Sequence, residues 1–114
     1  MAYWRSWKKR QMKQSNELQI FPNKVNNVLN ISGQISIHNY NKNFINDSYL
    51  NYETIDLKDL ISLDSTIIIF CVQLARFFKN KNKTIQIVGL KSSYKNLFAV
   101  YGLDTRVMNL YFNE

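Results

Sequence analysis

The first sixteen residues contain no apolar periodicity, and then the pattern changes. Leu18 and Ile20 alternate with polar neighbours, and Pro22-Asn23 marks a turn. Val25, Val28, Leu29 and Ile31 then form a second alternating run up to Gly33, with Ile35 and Ile37 extending it. Two short strands joined by a turn make an opening hairpin. From His38 to Tyr52 five asparagines disfavour regular structure, yet Tyr40, Phe44, Ile45, Tyr49 and Leu50 fall at helical spacing. This segment reads as a short weak helix or an irregular loop that drops aromatic rings onto the core.

Thr54 to Leu57 is a strand, and a loop through Asp59 to Leu63 leads into Asp64-Ser65. A strong helix follows from Ser65 to about Lys79, with Ser65 as N-cap and the cations Arg76 and Lys79 in the last turn. Ile67 to Val72 is apolar on all sides, so this helix starts deeply buried. Thr84 to Val88 is a β-branched strand that ends at Gly89. Ser92 or Ser93 caps a second helix whose stripe is Tyr94, Leu97, Phe98 and Tyr101, and Gly102 stops it at C′. Val107 to Phe112 reads either as a last edge strand or as a short packed helix. Strand–helix–strand units force parallel neighbours. The expected architecture is α/β: a small mixed sheet of about four strands, with helices packed mainly on one face. Residues 15–114 form this domain, and residues 1–14 form a tail.

Composition narrows the picture little. The chain has 114 residues, 46% hydrophobic and 20% charged, enough for one core. The single cysteine, Cys71, has no internal disulfide partner and fits a reducing compartment. The longest apolar run, Thr66 to Val72, is far below the ~20 residues of a membrane span, and the basic N-terminus lacks the apolar stretch of a secretory signal. The net charge of +7 owes much to Arg5, Lys8, Lys9, Arg10 and Lys13. Tyr3, Trp4 and Trp7 interleave with them, a combination suited to an anionic membrane surface or to base stacking. An untethered terminus is the simpler reading. The richness in Asn, Lys, Ile, Tyr and Phe matches A/T-rich codon usage, which weakens any argument from charge alone.

Catalytic patterns are missing from the sequence. His38 is the only histidine and has no metal-ligand companions. The three glycines, Gly33, Gly89 and Gly102, are punctuation rather than a phosphate loop. Asp56 and Asp59 read as solvent-facing residues of a loop. The expectation is a protein that is not an enzyme and carries no cofactor or metal. The informative segment is Ile55 to Ser65, where a strand, a loop and a helix N-terminus meet.

Read together, Ile55-Asp56-Leu57, Leu63-Asp64-Ser65, Leu74-Ala75-Arg76, Ile85 to Leu90 and Leu97 … Tyr101-Gly102-Leu103 resemble the STAS domain family. The resemblance spans roughly Leu18 to Val107, and Ile31-Ser32-Gly33 matches the family's strand–Gly opening. Its Asp-Ser pair is the most specific element. The likeness is greatest to the small STAS subunits of phospholipid-transporting ABC complexes. It implies a mixed sheet with helices largely on one face, and a non-catalytic subunit that binds the ATPase of an ABC transporter assembled with a permease. Such a subunit lies at the cytoplasmic face of the inner membrane, held there by its partner. The resemblance gives Ser65 the central contact role, places Thr66 and Ile67 beside it, and has Asp64 order the loop. The alternative within the family is an anti-sigma factor antagonist switched by phosphorylation of Ser65. The family's glycine after the hydroxyl residue is replaced here by Thr66-Ile67-Ile68, which favours contact over phosphorylation. Nucleic-acid binding through the tail ranks below both readings.

Overall fold

A computed structural model describes residues 17–113. The tail expectation for residues 1–14 lies outside the described residues, as does most of its junction with the domain. The described chain folds around one mixed sheet. Strand β1 (Gln19–Asn23) pairs antiparallel with β2 (Val28–Ile35), and β3 (Thr54–Asp56) lies parallel on the other side of β2. Strand β5 (Gln86–Lys91) is parallel to β3, and β6 (Leu110–Asn113) is parallel to β5 at the far edge. The short β4 (Leu60–Ser62) also pairs parallel with β2, using Gly33–Ile35 after β3 has used Val28–Asn30. The eight residues of β2 therefore serve two three-residue strands in succession.

The α/β mixed sheet is as the sequence implies, but it holds six strands rather than about four. Strand β4 falls where a plain loop is expected from the sequence. Its three residues are too few to show a period. Pro22 and Asn23 close β1 instead of turning the chain, which an edge strand tolerates because proline's missing N–H can face solvent. The turn comes at residues 24–27, and it leaves Val25 exposed rather than in a strand. Ile37 is likewise outside β2 and exposed.

Burial alternates along the strands, so one face of the sheet is covered. Leu29, Ile31 and Ile35 of β2 are buried while their neighbours are only partly so. The register aligns Leu29, Ile55, Ile87 and Leu110 as one buried row across four strands. Helix α1 (Thr66–Asn80) lays Ile67, Phe70, Cys71, Leu74 and Phe78 into the same core. The asparagine-rich stretch takes the irregular form, two 3-10 turns at Lys42–Phe44 and Asp47–Asn51. Tyr40, Phe44 and Phe70 pack edge to face there, and buried Tyr49 donates its hydroxyl to the Phe44 carbonyl at 2.8 Å.

Strand β5 runs past Gly89 to Lys91. Gly89 has φ +82°, and the register against β6 shifts between Ile87 and Leu90. The glycine marks a bulge inside the strand, not its end. Helix α2 (Lys95–Val100) is shorter than expected because Ser92–Tyr94 form a 3-10 turn, and neither Ser92 nor Ser93 caps it. Phe98 is buried, Tyr94 and Leu97 are half-buried, and Tyr101 is exposed, so the stripe meets the core over only part of its length. Gly102 stops the helix at C′ with φ +67°, its N–H donating to the Ala99 carbonyl at 2.9 Å. Among the described residues no helix is long and apolar enough to cross a membrane.

Candidate functional site

The start of α1 is built by three loops. The Asp64 carboxylate accepts the Thr66 amide at 2.9 Å through Oδ1 and the Ile37 amide at 3.0 Å through Oδ2. The hydroxyl of Ser62 donates to the Asp64 carbonyl and accepts the Ile67 amide at 3.3 Å. The Ser62 amide donates to the Tyr94 hydroxyl at 2.8 Å, and the Leu63 amide to the Ile35 carbonyl at 3.0 Å. These bonds tie the helix entrance to the end of β2 on one side and to the turn before α2 on the other. The Thr66 hydroxyl and the two amides hold the Asp64 carboxyl below the usual carboxylate range, with a smaller contribution from nearby His38.

Asp64 and Ser62 thus take the helix's unpaired N–H groups, the task assigned to Ser65 by sequence reasoning. Ser65 sits at the N-cap position with φ −77° and ψ 9°, and its side chain makes no capping bond. Its carbonyl accepts the Ile68 amide at 3.0 Å, which starts the helical ladder. Ser65 is half-buried, and its hydroxyl is free of that structural task. The expectation that Asp64 orders the loop matches its two amide bonds.

Thr66 and Ile67 do not stand on the surface beside Ser65. Thr66 is 4% exposed and Ile67 is 0% exposed, so both turn into the core. A helix that starts buried must point its first apolar residues inward, and these side chains are therefore sequestered. The exposed neighbours are different. Ile37, held by Asp64, is 71% exposed, and Leu63, the residue before Asp64, is 60% exposed. Ile69, one turn beyond Ser65, is 47% exposed. The sequence pattern places Ile37 in a strand and Leu63 in a loop and assigns neither a role. The available signal was an isoleucine and a leucine in polar segments whose elements were already complete.

Elsewhere the chemistry is sparse. Cys71 is buried, and burial pushes its thiol well above the usual range. Among the described residues no group of three His, Cys, Asp or Glu side chains could hold a metal ion. Asp56 is the last residue of β3 and its side chain is 18% exposed, so it does not face solvent from a loop as the sequence suggests. Its carboxylate accepts the Lys58 amide at 3.0 Å and lies against Gly89, where it fixes the β3–β4 loop. No model of a known protein family matches the chain, and no curated protein matches it.

Proposed function

We propose that this chain is a non-catalytic binding subunit whose contact surface is Ser65 with Asp64, Leu63, Ile37 and Ile69, and that its partner is the ATPase of an ABC-type phospholipid transporter. The observation that carries the reading is the free Ser65 hydroxyl. Asp64 and Ser62 satisfy the helix N-terminus, so Ser65 is available to a partner. Three exposed apolar side chains beside it give a partner something to bury, and exposed apolar clusters mark interaction sites. The ATPase identity rests on the STAS resemblance and on the agreement of a mixed sheet, covered on one face, with that family's expected fold. In this reading nucleotide binds the partner and not this chain. The transporter's permease would hold the assembly at the cytoplasmic face of the inner membrane.

A pull-down with the tagged full chain tests the proposal. An ABC ATPase should co-purify, and Ser65→Lys or Leu63→Asp should reduce its recovery at least tenfold while the circular dichroism spectrum is unchanged. Ile37→Asp should act in the same direction. Recovery of a kinase-like anti-sigma factor, with a phosphate on Ser65, would replace this reading with the antagonist one. Undiminished ATPase recovery by all three variants would show that the surface lies elsewhere.

A further inference from the structure

The far end of α1 borders a cavity that the proposed contact surface does not use. Its volume is about 520 Å³, within the range of small-molecule pockets. It lies between the second half of α1 and the loop that leads from α2 to β6. Val72, Ala75, Leu103 and Met108 contribute apolar walls, with the core residues Phe78 and Ile85 behind them. Arg76, Lys79 and Lys83 also line it, and no aspartate or glutamate does. Among the described residues Arg76 and Lys79 form no ion pair and are exposed. Lys83 donates to the neutral Leu50 carbonyl, which leaves its charge uncompensated.

The carboxyl end of a helix repels anions when its carbonyls are bare. Here the Lys81 amide donates to the Phe77 and Phe78 carbonyls, Asn82 to Lys79, and Lys83 to Phe78. Three of the last four carbonyls are occupied, and the exposed Arg76 and Lys79 set the sign of the field at the mouth. The charged side chains lining this largely apolar cavity are all cations, which suits an apolar body with an anionic head. The first sixteen residues of this chain are a poor occupant, because they carry Arg5, Lys8, Lys9, Arg10 and Lys13 and no acid.

We infer that this cavity binds a single-chain anionic amphiphile, its hydrocarbon between Val72, Ala75 and Met108 and its carboxylate or phosphate at Arg76 and Lys79. The site lies along the second half of a 15-residue helix, about 10–20 Å from Ser65 by helical rise, so it stands or falls independently of the proposed contact surface.

Displacement of dansyl-labelled undecanoate from the full chain, below micellar concentration, tests the inference. Laurate and dodecyl phosphate should compete, while dodecanol, dodecyltrimethylammonium and inorganic phosphate should compete at least tenfold more weakly. Ala75→Trp, which fills the cavity, should abolish probe binding. Arg76→Glu combined with Lys79→Glu changes only exposed side chains, and should weaken laurate about tenfold or more, the worth of a lost charge-assisted bond. Methyl resonances of Met108 should shift on addition of laurate. Flotation with phosphatidylcholine vesicles doped with lysophosphatidylglycerol, a single-chain anionic lipid, distinguishes the source. Capture that is lost in Ala75→Trp assigns a membrane lipid, and laurate binding without vesicle capture assigns a free acid. Equal competition by dodecyltrimethylammonium, laurate affinity unchanged by the charge reversal, or preference for an acidic amphipathic peptide over laurate would overturn it.

Discussion

Asp64 and Ile37 are 27 residues apart in sequence, yet the carboxylate of one accepts the backbone amide of the other at 3.0 Å. The same carboxylate caps α1 through the Thr66 amide. One side chain therefore locks the helix entrance to the loop that follows β2, and its charge is what both amides stabilise. The group's pKa is lowered in the fold, so its contribution is complete above the unfolded value and is lost as pH falls through the folded one. Asp64→Ala should lower Tm at neutral pH, and Asp64→Asn should lower it less because one acceptor remains; at strongly acid pH the protonated carboxyl also keeps one acceptor, so the gap to Asn should close and the gap to Ala should narrow to the Asn–Ala difference. Thermal melts across an acid pH series check this, and an undiminished gap between wild type and Asp64→Asn at the acid end would contradict it.

The capping assignment separates two serines three residues apart. Ser62 accepts the Ile67 amide and donates to the Asp64 carbonyl, whereas Ser65 makes no capping bond. Ser62→Ala should cost about 0.5–2 kcal/mol, the usual effect of removing a cap. Ser65→Ala should stay within about 0.5 kcal/mol. Urea denaturation of the two variants reads the contrast directly. The reverse order would restore Ser65 as the structural cap and remove its claim to a free hydroxyl.

Much of this arrangement was legible in the sequence, and the exceptions have definite causes. The buried helix α1, the opening hairpin and the parallel β3–β5 neighbours follow from long apolar runs and from spacing. Asp64 and Ser65 were legible as a helix entrance because a carboxylate and a hydroxyl at that place have few other uses. Which of them caps was not legible, since it depends on Ser62 and Ile37 arriving from other elements. Strand β4 was hidden by its three-residue length, and the inward turn of Thr66 and Ile67 by a run of apolar residues with no period to give a facing. The surface roles of Ile37 and Leu63 emerge only once both lie beside Asp64.

Tyr94 joins the two halves of the site. Its hydroxyl accepts the Ser62 amide at 2.8 Å across 32 residues of sequence. Tyr94→Phe keeps the ring and strands a partly buried N–H, which costs about 1–3 kcal/mol. Amide hydrogen exchange should show faster exchange at Ser62 and at the first turn of α1, with β1 and β2 unchanged. Uniform acceleration throughout the chain would mean that Tyr94 acts through global stability and not through the β4 junction.

A side chain at Gly89 has no room. Its φ of +82° disfavours any side chain, and a Cβ there would collide with Asp56 Oδ1 and lie 2.7 Å from the Lys58 amide nitrogen. Gly89→Ala should destabilise the fold by about 1–3 kcal/mol, and should displace the Asp56–Lys58 bond at the same time. Asp56→Ala opens the nearest obstruction but leaves the Lys58 backbone and the strained φ in place. The double variant should therefore recover only part of the stability lost in Gly89→Ala, and a double-mutant cycle measured by chemical denaturation isolates that part. Full recovery would place the whole cost in the contact with the carboxylate, and no recovery would place it in the backbone of the bulge.

At the alkaline end the aromatic cluster above Phe70 sets the limit. Burial, with a lesser contribution from Cys71, pushes Tyr40 up to about 12, and burial likewise raises Tyr49. Both hydroxyls are engaged, Tyr40 with the Gln73 side chain and Tyr49 with the Phe44 carbonyl at 2.8 Å. A raised pKa in the fold means that these tyrosines favour folding fully below their unfolded value of about 10. That contribution declines as pH rises toward the folded values, because the unfolded chain ionises first. Stability should therefore fall from about pH 10 upward, with two tyrosines ionising only as the fold opens. Absorbance at the phenolate band, followed together with circular dichroism, tests the coupling. Tyr40→Phe should flatten the alkaline decline while leaving the acid side, governed by Asp64, as it was. Ionisation of all seven tyrosines before any loss of secondary structure would show that neither ring is held neutral by the core.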